Sequence, residues 1–205
     1  MISRRFLCVG ALGAAAAATL GGCDKLGFSS APKASFQGVD LTGASYARGF
    51  SLPDQNGRTR TMEDFKGKVV VVFFGFTQCP DVCPTTLAEL AQVKKALGPD
   101  GDKVQGVFIT VDPERDKPEL LKAYLESFDP GFVALRGSPE QLKDTAKEFK
   151  VYYAKVPGKT PDSYTMDHTA ASFLFDPQGR VRVFSRYGAG ATALMGDIKA
   201  LLAGQ

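Results

Sequence analysis

The feature that most constrains this chain is a pair of cysteines, Cys79 and Cys83, set directly after an apolar run of β-branched and aromatic residues at 69–74. Such a run reads as a strand buried on both faces, as in the middle of a parallel sheet. Beyond Pro84, apolar residues recur at helical spacing through Leu87, Leu90 and Val93. The cysteines therefore lie in the turn from a central strand to a helix N-terminus. Ligand and active sites of open α/β sheets collect at that end of the strands, and the helix end favours a thiolate and lowers its pKa. Pro84 has no N–H, which suits the first helical turn. Cys83 thus belongs at the helix start and Cys79 in a tight turn before it. Pro80-Asp81-Val82-Cys83-Pro84 is turn chemistry rather than a core pattern. Two sulfurs so placed can close a disulfide or share one metal ion.

The first residues do not belong to the same unit. Arg4 and Arg5 precede an uncharged, alanine-rich apolar stretch at 6–20, followed by Leu20-Gly21-Gly22-Cys23. A basic start, a short apolar region and small residues at its end make residues 1–22 a secretory signal peptide. The stretch is short for a membrane span. Leu-Gly-Gly-Cys resembles the lipobox of bacterial lipoproteins, which makes Cys23 the lipidation site and residues 23–45 a lipidated tether. That segment is rich in Gly, Ser, Ala and Pro, as flexible linkers are. The expected location is the periplasmic face of the inner membrane. Ser3-Arg4-Arg5-Phe6-Leu7 is similar to a twin-arginine signal without its usual spacer, so both export routes stay open.

The signal simplifies two counts. Cys8 lies inside the apolar stretch and Cys23 is the anchor, so of the four cysteines only Cys79 and Cys83 remain in the exported domain. Outside the cytoplasm such a pair is oxidised unless something keeps it reduced. Removing Arg4 and Arg5 from the 25 basic residues leaves 23 against 22 acidic ones. That near balance gives no basic patch for nucleic acid.

Residues 46–205 read as one α/β domain. Residues 50–61 form a hairpin turning at Asn56-Gly57. Strand 68–74 leads to helix 86–97, and strand 103–111 to a helix running from Pro118 to Phe128. A short strand at 132–135 precedes a helix with Ser138 as N-cap, Pro139 at N1 and Gln141 at N3, ending at Phe149. Residues 151–167 read as a long polar loop, a kind of segment that is often functional. A second hairpin at 170–175 and 181–185 precedes a terminal helix at 191–202. The order predicts a mixed sheet with helices on both faces.

His168 is the sole histidine of the chain. It ends the long loop just before the strand at 170, which places it opposite the cysteine turn. Cys79, Cys83 and His168 can then converge, with Asp167 as a candidate outer partner of the imidazole. Two thiolates and one imidazole suit Cu(I), and with a further oxygen ligand Cu(II). Structural zinc wants four protein ligands, and the exported domain has no other cysteine or histidine to supply the fourth. Met166 is either a thioether ligand or loop packing.

Gly75-Phe76-Thr77-Gln78-Cys79-Pro80-Asp81-Val82-Cys83-Pro84, then Val111-Asp112-Pro113-Glu114-Arg115-Asp116, then Asp167-His168-Thr169, resemble the SCO/SenC family in order and spacing across residues 45–203. The resemblance implies a thioredoxin-like three-layer sandwich with a mixed central sheet and an N-terminal β-hairpin. It implies copper held by Cys79, Cys83 and His168, and delivery to the dinuclear copper site of cytochrome c oxidase. The oxidase's copper-bearing subunit is then the partner, alongside another copper chaperone or a thiol reductant. Lys117 departs from the threonine common there.

The alternative function is a thiol–disulfide reductase that uses Cys79 and Cys83 as its redox pair and keeps the acceptor's cysteines reduced. Two features weigh against it. Thioredoxin-like reductases carry a cis-proline before the strand facing the redox pair, where this chain has Ala170, and their cysteines are one residue closer together. A peroxidase reading lacks its Pro and Thr/Ser pattern. Residues 112–116 follow a strand at the same end as the cysteines, and read as a third functional region or as a capped turn.

Overall fold

The computed structural model describes residues 35–160 and 163–205. The expected signal peptide with Cys8, and Cys23, the expected lipidation site, lie outside the described residues. The chain runs β1 (Val39–Asp40), β2 (Ser51–Pro53), β3 (Thr59–Thr61), a 3-10 turn (Met62–Phe65), β4 (Val69–Gly75), α1 (Val82–Ala96), β5 (Val104–Thr110), α2 (Pro118–Glu126), β6 (Val133–Leu135) and α3 (Pro139–Phe149). It continues through β7 (Tyr153–Pro157), β8 (Tyr164–His168), β9 (Ala171–Phe175), β10 (Val181–Arg186) and α4 (Gly190–Leu202).

Every residue of β4 is buried, which is why an unbroken apolar run sits there. It lies in the middle of a six-stranded sheet of order β1-β10-β9-β4-β5-β6. β4 pairs in parallel with β5 from Val69↔Val104 to Gly75↔Thr110 and antiparallel with β9, so the sheet is mixed. The crossovers β4-α1-β5 and β5-α2-β6 move the same way along the sheet, and right-handed crossovers put α1 and α2 on one face. α4 packs against α1 on that side. On the other face Phe149 of α3 meets Phe74 and Phe173 edge-on, at 5.3 and 5.2 Å between ring centres. Three layers result, helices–sheet–helix, the thioredoxin-like arrangement that the resemblance implies. The C-terminal ends of β4 and β5 point to one edge, and β9, antiparallel to β4, starts there.

The N-terminal hairpin turns at Asn56-Gly57 as expected, with Gly57 at φ +79°. The expected capping box of α3 is present: Ser138 Oγ accepts from the Gln141 N–H and the Gln141 side chain from the Ser138 N–H. α1 begins at Val82, four residues before the start expected from periodicity.

Two segments differ from the sequence expectation. Residues 151–167, read as a loop, contain β7 and β8, an antiparallel ribbon separate from the main sheet. Its alternation is carried only by Tyr164, Met166 and His168 on one face against Thr165 and Asp167 on the other. Pro157, Gly158 and Pro161 interrupt that pattern. The linker expected at 23–45 ends in ordered structure: Val39 pairs with Phe184, and the Gln37 and Gly38 amides donate to buried Asp197 of α4 at 2.6 and 3.0 Å. Folded structure therefore begins before residue 46, because a buried carboxylate holds the incoming backbone there.

Candidate metal centre

The chain leaves β4 at Gly75 and turns through 76–81 into α1. Gly75 is needed at that exit. A Cβ there would lie 2.7 Å from Cys83 Sγ, 2.8 Å from a Phe108 ring carbon and 3.1 Å from Phe73. Cys83, in the first turn of α1, points back at the sheet and is fully buried. Cys79, in the turn before the helix, is half-buried. The Cys83 amide donates to Cys79 Sγ at 3.5 Å, so the helix N-terminus faces the first sulfur. Both cysteines are free thiols.

His168 arrives from the end of β8. Its Nε2 lies 3.7 Å from Cys83 Sγ, and its ring stands edge-on to Phe76 at 5.9 Å and 88°. Nδ1 is 3.1 Å from the Thr169 carbonyl oxygen. A carbonyl only accepts, so Nδ1 carries the proton and Nε2 presents its lone pair to the sulfurs. Burial holds the imidazole below its ordinary pKa, which keeps it neutral and able to ligate. One donor atom from each of Cys79, Cys83 and His168 lies within 4.8 Å of the others. Three donors each about 2.0–2.3 Å from one ion require that spacing. The residues expected to converge do so.

Two expectations, on Asp167 and on the Cys83 thiol, need correction. Asp167 is exposed on the outer side of β8, opposite Ala154, and the Thr169 carbonyl takes the imidazole proton in its place. Alternation along a strand sends adjacent side chains to opposite faces. Met166 is buried and packs in the hydrophobic core. The helix N-terminus does not lower the Cys83 thiol pKa; burial pushes it well up, against a backbone hydrogen bond from Phe76.

Residues 112–116, left open between a functional region and a capped turn, fasten both halves of the site. Asp116 is buried between β4 and β5. It accepts from Thr77 Oγ1 at 2.6 Å, from Thr110 Oγ1 at 2.5 Å and from the Thr77 amide at 3.2 Å. Burial raises its pKa, and the threonine hydrogen bonds oppose that rise. Asp116 thereby ties the cysteine turn to the end of β5. Asp112, also buried, pairs with Arg115 and accepts from the Tyr164 hydroxyl at 2.9 Å. Gly75, Thr77 and Tyr164 were not singled out by sequence reasoning. Their roles depend on contacts between segments far apart in the chain, although Gly75 and Thr77 sit inside the motif.

The family model for SCO1/SenC matches residues 39–203. An SCO2-like protein of Rickettsia conorii is 42% identical over 132 residues, 64% of this chain and 64% of the relative, so the match spans just under two thirds of that relative's length. The structure of Bradyrhizobium japonicum ScoI with copper bound matches with a TM-score of 0.68 at 45% identity, over 75% of this chain and 98% of that one. Yeast Sco1 with copper bound matches with a TM-score of 0.69 at 31% identity, over 77% and 88%. Two cysteines and a histidine gathered at the sheet edge, on a thioredoxin-like frame matched along 165 residues, place this chain in the SCO1/SenC family.

Proposed function

We propose that this chain binds copper through Cys79, Cys83 and His168 and hands it to the dinuclear copper site of cytochrome c oxidase. The observation that carries the reading is the convergence of two sulfurs and one neutral imidazole nitrogen within 4.8 Å. That donor set is soft and three-fold, which suits Cu(I), and its nitrogen makes room for Cu(II). Two relatives with solved structures at 45% and 31% identity hold copper, which supports the same cargo here. The copper is substrate: the ligands take it from a donor and release it by exchange with an acceptor's thiolates. Cys23 is the membrane anchor in this reading, and the acceptor lies at the periplasmic face of the inner membrane. A second reading, reduction of the acceptor's cysteines, rests on the presence of two free thiols near one another. Ala170, where a reductase keeps its cis-proline, favours the first.

The test is a Cu(I) competition titration of the chain with its Cys79–Cys83 pair reduced and then oxidised. Reduced protein should take up about one ion and oxidised protein none, since a disulfide uses both thiolates. Equal uptake by both forms would overturn the assignment.

A further inference from the structure

Among the described residues, the β7–β8 ribbon pairs with neither the main sheet nor the β2–β3 hairpin. A two-stranded ribbon alone is marginal in water, yet this one carries His168. Its base is held where the chain enters and leaves: the Val151 amide donates to the Ala146 carbonyl at 2.8 Å and the Tyr187 amide to the Ala170 carbonyl at 3.0 Å, while Tyr152 and Thr169, just beyond the strands, exchange hydrogen bonds at 3.0 Å. Its other end is held by the turn after β5. Arg115 Nη1 donates to the Tyr164 carbonyl oxygen at 2.8 Å. The Arg115 guanidinium lies over the Tyr164 ring, 3.7 Å from its centre. Asp112 takes the Tyr164 hydroxyl at 2.9 Å and pairs with Arg115 at the same time. Lys155 of β7 lies 4.7 Å from the centre of the same ring and pairs with Glu114 at 2.6 Å.

Tyr164 and His168 belong to one strand and one of its faces, about 13 Å apart along it. A ribbon held at both ends has one tilt. Held at its base alone, it can rock and twist about that base, and the rotation turns the His168 imidazole relative to Cys83.

We propose that Asp112, Arg115 and Tyr164 form a latch that sets the position of the His168 imidazole over the two sulfurs, and with it the balance between Cu(II) and Cu(I) binding. The inference rests on the copper reading given above. Cu(I) is content with two thiolates, whereas Cu(II) favours nitrogen in its ligand set. Displacing the imidazole therefore costs Cu(II) far more than Cu(I). These are positioning residues, acting through β8 and not on the ion.

The test compares wild-type full chain with Arg115→Ala and Tyr164→Phe by competition titration for each ion, by electron paramagnetic resonance of the Cu(II) form, and by amide hydrogen exchange of the metal-free protein. In Arg115→Ala, Cu(II) affinity should fall at least about tenfold while Cu(I) affinity moves less than about threefold, the scale of losing a residue that orients a ligand. The nitrogen coupling in the Cu(II) spectrum should weaken, and the amides of β8 should exchange faster while those of β4 do not. Tyr164→Phe, which loses only the hydroxyl, should shift the ratio in the same direction by a smaller factor. Should Arg115→Ala fail to fold, Tyr164→Phe decides by the same ratio. An unchanged Cu(II)-to-Cu(I) ratio, or an equal fall for both ions, overturns the latch. Failure of the wild-type chain to take up either ion counts against the copper reading and removes the selectivity; β8 exchange then decides whether the latch holds the ribbon.

Discussion

Cys83 Sγ stands 3.7 Å from His168 Nε2 although 85 positions separate the two residues in the chain. The contact joins the first turn of a helix to the end of a ribbon outside the main sheet. Replacing His168 with Ala leaves a two-sulfur site. Cu(II) affinity should fall by more than the roughly 10–100-fold that follows loss of an outer partner, and oxidase activity in cells carrying the variant should fall with it. Thiol–disulfide exchange in vitro should persist, since it needs only the cysteines. Wild-type Cu(II) affinity together with wild-type oxidase activity would exclude His168 as a functional ligand.

Gly75 has no room for a methyl group, because the nearest atom it would meet is the Cys83 sulfur at 2.7 Å. Gly75→Ala should destabilise the reduced, metal-free domain by about 1–3 kcal/mol, as overpacking does. In a Cys83→Ala background the same substitution should cost less, because one of its two closest obstacles is gone and the Phe108 ring, at 2.8 Å, gains room to shift. Chemical denaturation of the four proteins completes the cycle. Equal costs in both backgrounds would mean that Phe108, not Cys83, sets the limit.

Asp116 is the common acceptor for Thr77 and Thr110. Asp116→Ala should lower stability by about 2–3 kcal/mol, since it strands two hydroxyls and an amide in a buried place. Asp116→Asn, which keeps the volume and one acceptor oxygen, should cost less. The two should also rank in that order for loss of Cu(I) affinity, because Thr77 opens the cysteine turn. Urea midpoints for both variants give the comparison.

Glu148 accepts from Arg48 Nε and Nη2 at 2.9 Å each and from the Arg48 amide at 3.0 Å. These bonds pull its carboxyl down to about 2, from an ordinary value of 4.5. The folded state thus binds a proton less readily than the unfolded one. The stabilisation is full above the unfolded value and is lost as pH falls from there toward about 2. The melting-temperature gap between wild type and Glu148→Gln should hold steady above about pH 5 and close in more acid buffer. A gap of the same size at every pH would remove the ion pair from the explanation.

Lipidation at Cys23, as proposed, can be tested separately from the copper site. Cys23→Ala should leave an unprocessed precursor, and a chain starting at residue 24 should appear in the soluble fraction. Wild-type protein found in that fraction would rule out lipidation at Cys23.

The sequence made the central strands legible because β4 and β5 are buried on both faces, and such strands leave an uninterrupted apolar signature. The three donors were legible for a related reason. A cysteine pair at a strand-to-helix turn and a histidine ahead of the next strand sit at one sheet edge by topology alone. The β7–β8 ribbon was hidden because its exposed side is polar and its turn is full of prolines and glycine, which read as loop. Tyr164, and the part that Asp116 plays, were hidden for a different reason. A buried carboxylate between two threonines, or a tyrosine beneath an arginine, has no local pattern, since the partners are 39 and 49 residues away. Asp167 misled because adjacency in sequence is opposition on a strand.

The two sulfurs differ in access, and this gives the centre a front and a back. Cys83 is sealed beneath the first turn of α1 while Cys79 is only partly covered. A thiolate arriving from a partner meets Cys79 first, whether its errand is to accept an ion or to open a disulfide. In the proposed function this difference in burial sets an order: the outer sulfur would let go or be attacked first, and the inner one would keep its hold until the newcomer is bound.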